Sequence, residues 1–310
     1  HNWLRGISAR YPAPPCRRRY HRLSRHPLVR SPCDSPRAHP LTFASMTLLI
    51  DEHCIRKLIT MEDALSAVEE VFDAQGTGAN GGVINVPRVR VPVRNGIVRI
   101  TAAVLSYRGY YGVKISSTAV FGRDAGRMFC LYREYDGSLA AIVQVFAMGA
   151  MRTGAASGIA TKYLANDDAS VLAVIGTGRQ ARTQVEAVCT VRPISEVRVY
   201  SRDAANVERF CVEVGKIKKN NYVRSPSAEG AVRGADIVIS ATSSEAPVVQ
   251  GAWLKPGAHI NAIGANYEHR RELDTGAVSA ARFICADDIE QVRYEATDLI
   301  EPVKSGVLSW

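Results

Sequence analysis

Cysteine is present but unpatterned. Cys16, Cys33, Cys54, Cys130, Cys189, Cys211 and Cys285 are scattered, and the closest two stand 17 residues apart. No C-x-x-C, H-x-x-x-H or G-x-S-x-G occurs, which removes the sequence support for structural zinc, zincin chemistry and a serine-hydrolase elbow. An odd, scattered set of thiols fits a reducing compartment, so the cytoplasm is the expected location. Long apolar runs are also missing. The longest, Leu139 to Met151, is interrupted by Gln144 and is too short to span a bilayer, so no membrane role is expected.

Acidic residues are nearly absent from one region. Residues 1–45 hold nine Arg and a single acid, Asp34, and so carry +8 of the chain's formal +9. The remainder is close to neutral, and nucleic acid is not an expected partner of the fold. The same 45 residues contain seven of the fourteen prolines and no periodic apolar pattern, so no packed structure is expected there. An organelle leader would be Ser/Arg-rich and acid-poor in this way, but the prolines oppose its amphipathic helix. A nucleic-acid arm would want more aromatics for stacking. The expectation is a disordered or non-native basic leader translated ahead of a start at Met46.

What is present is an ordinary globular chain of 310 residues, 46% hydrophobic and 22% charged, enough for two domains. Thr60 precedes Met61, Ala64, Leu65, Val68, Val71 and Phe72, which fall on one helical face. Thr60 can cap that helix with Asp63 three residues on, and Gly76 and Gly78 end it. Strand-like segments follow at Ile97–Leu105, Tyr110–Ser117, Met128–Tyr135 and Leu139–Phe146, with the hairpin signal Asp136-Gly137 between the last two. Arg152 to Ala165 is helical in pattern and rich in small residues, which let a backbone or a ligand approach closely.

From Ser170 strand and helix alternate. Strands are expected at Val171–Ile175, Val197–Tyr200, Ala235–Ala241, His259–Ile263 and Phe283–Ala286, with helices marked by Ala181, Val185 and Val188 and by Ala204 to Val214. This predicts an α/β protein: a Rossmann domain over 166–295 joined to an α/β domain over 46–165, with 296–310 returning towards the first.

Val171 to Ile175 leads into Gly176-Thr-Gly178-Arg179-Gln180-Ala181, a G-x-G-x-x-A turn that opens a helix. Its glycines allow a tight turn and close approach of a pyrophosphate, whose charge the helix N-terminus favours. An NAD enzyme usually carries Asp or Glu at the end of the second strand; Ser201-Arg202 stands there instead. Hydroxyl and guanidinium suit a 2′-phosphate, so NADP is the expected cofactor, with NAD still served if Asp203 takes part. Lys114 interrupts the apolar Val113-Lys114-Ile115, and Arg88 and Arg90 alternate onto one face of a strand. Either these cations snorkel at a sheet edge, or they converge on a small carboxylate.

Thr47-Leu-Leu-Ile-Asp51, Val86-Pro87-Arg88, Gly112-Val-Lys114, Arg152-Thr153-Gly-Ala-Ala156, Ile175-Gly-Thr-Gly178, Ala235-Asp-Ile-Val238 with Ala241-Thr242-Ser243, and Pro256 to Gly264 followed by Arg271-Glu-Leu-Asp274 occur in that order. Over roughly 46–310 the chain resembles the ornithine cyclodeaminase and mu-crystallin family. The resemblance implies a homodimeric NAD(P)-dependent enzyme on a small amino or imino acid, most like the family's reductases of pyrroline-2-carboxylate-type ketimines. It implies Arg88 and Lys114 as ligands of the substrate carboxylate, and Lys114 and Asn266 as catalytic residues. It places cofactor contacts at Arg152, Thr153, Gly176, Gly178, Arg179, Gln180, Ser201, Arg202, Thr242, Asn261, Ala262, Ile263 and Arg270. No metal is expected.

Two departures bear on activity. Cyclodeaminases carry an essential Asp where this chain has Asn266, which turns the expectation from ornithine deamination or alanine-dehydrogenase-type chemistry towards imine reduction. A non-enzymatic, mu-crystallin-like binder of cofactor or ligand is the remaining alternative. The family also closes with a further helical stretch, and the ending at Trp310 reads as a truncation.

Overall fold

A computed structural model describes residues 46–77, 82–118, 126–267 and 269–310. The expectation for the basic leader lies outside the described residues. Two sheets make up the body. Leu48–Ile50 (β1), Val83–Asn85 (β2), Val89–Val93 (β3), Gly96–Leu105 (β4), Tyr110–Ser117 (β5), Met128–Arg133 (β6) and Leu139–Gln144 (β7) form the first. Its order is β1-β7-β6-β5-β4-β2, with β3 also on β4. All pairs are antiparallel except β1 with β7. As expected, Asp136 and Gly137 turn β6 into β7: Asp136 Oδ1 accepts from Ser138 N at 2.9 Å, and Gly137 has φ +71°.

Glu52–Leu58 (α1) starts at Asp51, whose carboxylate accepts from Cys54 N. Met61–Thr77 (α2) starts with the expected capping box. Thr60 N donates to Asp63 Oδ2 at 2.9 Å, and Asp63 N donates to Thr60 Oγ1 at 3.1 Å. Phe146–Leu164 (α3) crosses from the first sheet to the second. Its small residues answer to packing: a Cβ on Gly154 would lie 2.5 Å from Thr183 O, and one on Gly158 would lie 2.6 Å from Leu65. Small residues therefore admit a neighbouring helix backbone at these positions, where the sequence left backbone or ligand open.

The second sheet is parallel, in the order β10-β9-β8-β11-β12, from Val171–Ile175 (β8), Glu196–Tyr200 (β9), Asn221–Arg224 (β10), Ile237–Ser240 (β11) and His259–Ala262 (β12). Arg179–Val191 (α4), Ala204–Gly215 (α5) and Ala228–Val232 (α6) link its strands. After it come Thr275–Ser279 (α7), Ile289–Glu295 (α8) and Thr297–Lys304 (α9). One apolar cluster under this sheet includes Val185, Val197 and Phe210, and a second on its other face includes Val232, Val249 and Val278.

One expectation needs correcting. Phe283–Ala286 forms no strand: it pairs with nothing and leaves Phe283 67% exposed. A four-residue apolar run has no periodicity long enough to show whether an edge will accept it. Within 296–310, Leu299 and Leu308 pack on the second sheet's cluster, and just before that segment Glu295 reaches Arg88. Met61 of α2, Ala155 and Ile159 of α3 and Ala187 of α4 pack in one cluster, so α3 joins the two parts of the body.

Candidate active site

Strand register decides which side chains of the first sheet meet. Arg90 pairs with Arg99, Arg99 with Ser116, Thr101 with Lys114, and Lys114 with Phe129. These residues lie on one face, and Arg88 and Arg127 join them by alternation. Towards β6 and β7 the same face is apolar, with Phe129, Leu131, Ala141 and Val143 packed on Ile55 and Ala147. Gly112 is needed at that boundary, since a Cβ there would fall 2.2 Å from the Phe129 ring. The ring lies across the strand and walls one side of Lys114.

Six cations collect beyond this wall: Arg88, Arg90, Arg99, Lys114, Arg127 and Arg152. Burial, then Arg152 and Arg88, bring the Lys114 ammonium down from 10.5 to about 8. Arg152, on the second turn of α3, has an exposed side chain that is nonetheless desolvated enough to lower its pKa, which places it in a recess. The counter-charge is Glu295 of α8. Its carboxylate accepts from Arg88 Nη1 at 2.9 Å and Arg90 Nη2 at 2.6 Å, and also from Gln291. Nothing in the sequence pointed to Glu295, 207 residues from Arg88. Arg99 was legible by the same signal as Lys114, a charge inside an apolar strand, but was not singled out.

The second sheet reaches this face through the loop after β12. Tyr267 lies under three guanidinium groups, with Arg99 at 4.9 Å, Arg90 at 5.7 Å and Arg270 at 4.6 Å from its ring centroid. Asn266, next to it, is exposed. The cationic face thus meets, at Tyr267, a loop from the carboxyl end of the parallel sheet, the end at which open α/β sheets bind ligands.

A dinucleotide fits the residues at those strand ends. Gly176 has φ +100°, and its Cα abuts Ala241, where a Cβ would come within 2.5 Å of the carbonyl oxygen. Gly178, at the N-cap of α4, has no side-chain cap and open space where a Cβ would point. An uncapped helix start of this kind suits the charge of a pyrophosphate. Gln180 Oε1 is buried without a partner among the described residues. Arg179 Nη1 instead donates to Phe146 O at 2.9 Å, tying the turn to the start of α3.

At the far end Ser201 is half-buried and Arg202 exposed. The Asp203 carboxylate accepts from Ala205 N and Asn206 N as the cap of α5, so it is already engaged. Thr153 donates its hydroxyl to Gly149 O, and Thr183 and Gln184 hold α4 to α3. The Asn261 side chain is buried and donates to Thr161 Oγ1 at 2.9 Å, which ties the end of β12 to α3. Thr242 and Gly264 donate their backbone N–H groups to Glu272, whose carboxyl is pushed up by burial. Asp298 in turn accepts from Glu272 N at 2.8 Å and Leu273 N at 2.9 Å. These two carboxylates hold the strand-end loops in place, and sequence reasoning assigned neither. Among the described residues no cluster of His, Cys, Asp and Glu could hold a metal ion, and no helix is long and apolar enough to cross a membrane.

Known proteins share this fold. The chain is 34% identical to a Thermococcus litoralis Delta(1)-pyrroline-2-carboxylate reductase solved with NADH and L-proline, with a TM-score of 0.78 over 85% of this chain and 82% of that one. An archaeal alanine dehydrogenase dimer with bound NAD is 32% identical, with a TM-score of 0.76 over 85% and 81%. The ketimine reductase mu-crystallin of Rattus norvegicus is 33% identical over 72% of each chain. Residues 46–300 match the ornithine cyclodeaminase/mu-crystallin family as a whole, and the chain belongs to that family, whose members include NAD(P)-dependent reductases.

Proposed function

We propose that this protein reduces the C=N bond of a small imino acid, a cyclic ketimine of the pyrroline-2-carboxylate type, with NADPH as the preferred reductant. The observation that carries this reading is Lys114. It is a half-buried ammonium near pKa 8 on a face of fixed cations, within the fields of Arg152 and Arg88. A reduced nicotinamide supplies hydride when bound. Arg88 and Lys114 hold the substrate carboxylate, and the Phe129 wall and the Tyr267 ring exclude water from the imine. The imine carbon gains the hydride and the nitrogen a proton, which Lys114 or a water it orients provides. Asn266 can orient the nitrogen through its amide but cannot cycle a proton as a carboxylate would.

NADPH is preferred in this reading because Asp203 is engaged as a helix cap, leaving Ser201 and Arg202 for a 2′-phosphate. The reading includes a homodimer, since the opposite face of the first sheet carries Leu49, Val89, Val91 and Ile115, all exposed.

The test follows nicotinamide absorbance with pyrroline-2-carboxylate, piperideine-2-carboxylate, and pyruvate with ammonium. Turnover of a cyclic imine is expected. Binding of cofactor without oxidation of it by any substrate would make the protein a binder instead. Because Lys114 donates while charged, kcat/KM should be level below about pH 8 and fall about tenfold per unit above it. A profile flat to pH 10 would remove Lys114 as the donor. L-Ornithine should give little proline, and Asn266→Asp should raise that yield.

A further inference from the structure

Arg99 is not accounted for by a monocarboxylate substrate. It sits on β4 directly across from Arg90 and Ser116 and one pair along from Lys114. Arg88 and Arg90 share the Glu295 carboxylate, whereas Arg99 Nε and Nη2 are buried with no hydrogen-bond acceptor among the described residues. Buried donors without acceptors are rare, so a pair of them on this cationic face points to a ligand. These two atoms bear the parallel N–H bonds on one side of a guanidinium, the edge that grips both oxygens of a single carboxylate. Tyr267 stacks near the same group at 4.9 Å and can hold the plane in place.

Charge leads to the same conclusion. Arg88, Arg90, Arg99, Lys114 and Arg127 stand on this face of the sheet against Glu295, before Arg152 is counted. Burial and the neighbouring Arg88 and Arg90 lower the Arg99 pKa, and Glu295, already shared by those two arginines, offsets this only in part. One substrate carboxylate on Arg88 and Lys114 leaves that excess largely in place, whereas two would reduce it.

We infer that the imino acid is a dicarboxylate, whose second carboxylate seats on the Nε and Nη2 edge of Arg99. This rests on the reductase reading and narrows its substrate class. The reaction is otherwise unchanged: hydride adds to the imine carbon, a proton to the nitrogen, and neither carboxylate is altered.

The experiment is calorimetric titration of the protein with NADPH present, using two matched pairs of unreactive acids. These are pyrrole-2-carboxylate against pyrrole-2,5-dicarboxylate, and butyrate against succinate. At least one dicarboxylate should bind about 30-fold or more tightly than its monocarboxylate partner, and Arg99→Met should collapse that ratio towards about 1. Arg99→Lys, which keeps the charge without the fork, should retain part of it. Equal affinities within both pairs in the unmodified protein would overturn the inference, and this comparison needs no variant to fold. Arg99→Met weakening both members of a pair by the same factor would also overturn it, by assigning Arg99 to the shared carboxylate. The two readings fail separately. Monocarboxylic imines reduced with no dicarboxylate preference leave the reductase standing and remove the inference. A strong dicarboxylate preference with no imine reduced removes the reductase.

Discussion

The two sheets bury their residues differently. In the second, Leu172, Ala173 and Val174 of β8 and Ile237, Val238 and Ile239 of β11 have no exposed surface, because helices cover both faces. In the first, every residue of β4 is only half-buried. One face of that sheet gathers several cations around Glu295, and the other holds exposed aliphatic residues. A parallel sheet built from βαβ units brings its own cover. The first sheet has helices at one end of one face, and the proposed reading gives the rest to a ligand on one side and a second copy on the other. Stability should therefore reside in the second sheet, and dependence on partners in the first.

Ile115→Glu tests this most severely. Ile115 lies 45% exposed in the middle of the open aliphatic face, beside Ile100 and Met128 in register. Burying two carboxylates in a dimer should weaken it by about 1000-fold or more. Sedimentation across protein concentrations should show monomers, and an unchanged dimer would place the interface elsewhere.

Next comes the β8 turn. Gly176→Val adds left-handed strain and a Cβ 2.5 Å from a backbone carbonyl, so it should destabilise the fold by about 3 kcal/mol. Gly178→Ala, with ordinary φ and open space around it, should barely move Tm yet weaken dinucleotide binding. Similar melting of the two variants would contradict the reading of Gly176 as a packing glycine.

Glu295→Gln leaves Arg88 and Arg90 without their shared carboxylate. The ion pairs have side chains 18% and 30% exposed on the arginine side and 11% on the glutamate. The loss should be about 2 kcal/mol by denaturant titration, with the first sheet losing hydrogen-exchange protection before the second. Loss of protection in the second sheet first would break the comparison. The smallest effect is expected at Arg202→Asp, which should lower NADPH affinity about tenfold and leave NADH favoured. Unchanged affinities would move the 2′-phosphate away from Arg202.

Legibility followed the same division. The β8 strand, the Gly176 turn, β9, α5 and β12 were visible to within a residue or two, since each is a local pattern of apolar period and turn chemistry. Lys114 was visible because a charge within an apolar strand is costly. Arg99 gave the same signal but was hidden among the sixteen residues from Arg88 to Ala103, where four arginines are interspersed with aliphatics. The parallel pairing of β1 with β7 was not legible, since it joins Leu49 to Ile142 across the whole domain. Nor was the failure of Phe283–Ala286 to pair, because acceptance by an edge depends on what else occupies it.

By itself the sequence determined the elements: capping boxes, alternation, the glycine turn and the order of strand and helix are all set within about ten residues of chain. The tertiary structure decided which distant charges meet. Glu295 on Arg88 and Arg90, Tyr267 over Arg99, and Asn261 turned onto Thr161 each join segments at least 100 residues apart. Hydrogen bonds and ion pairs act over a few ångströms of space and carry no trace in local periodicity, so the site's charge balance exists only once both sheets are folded against α3.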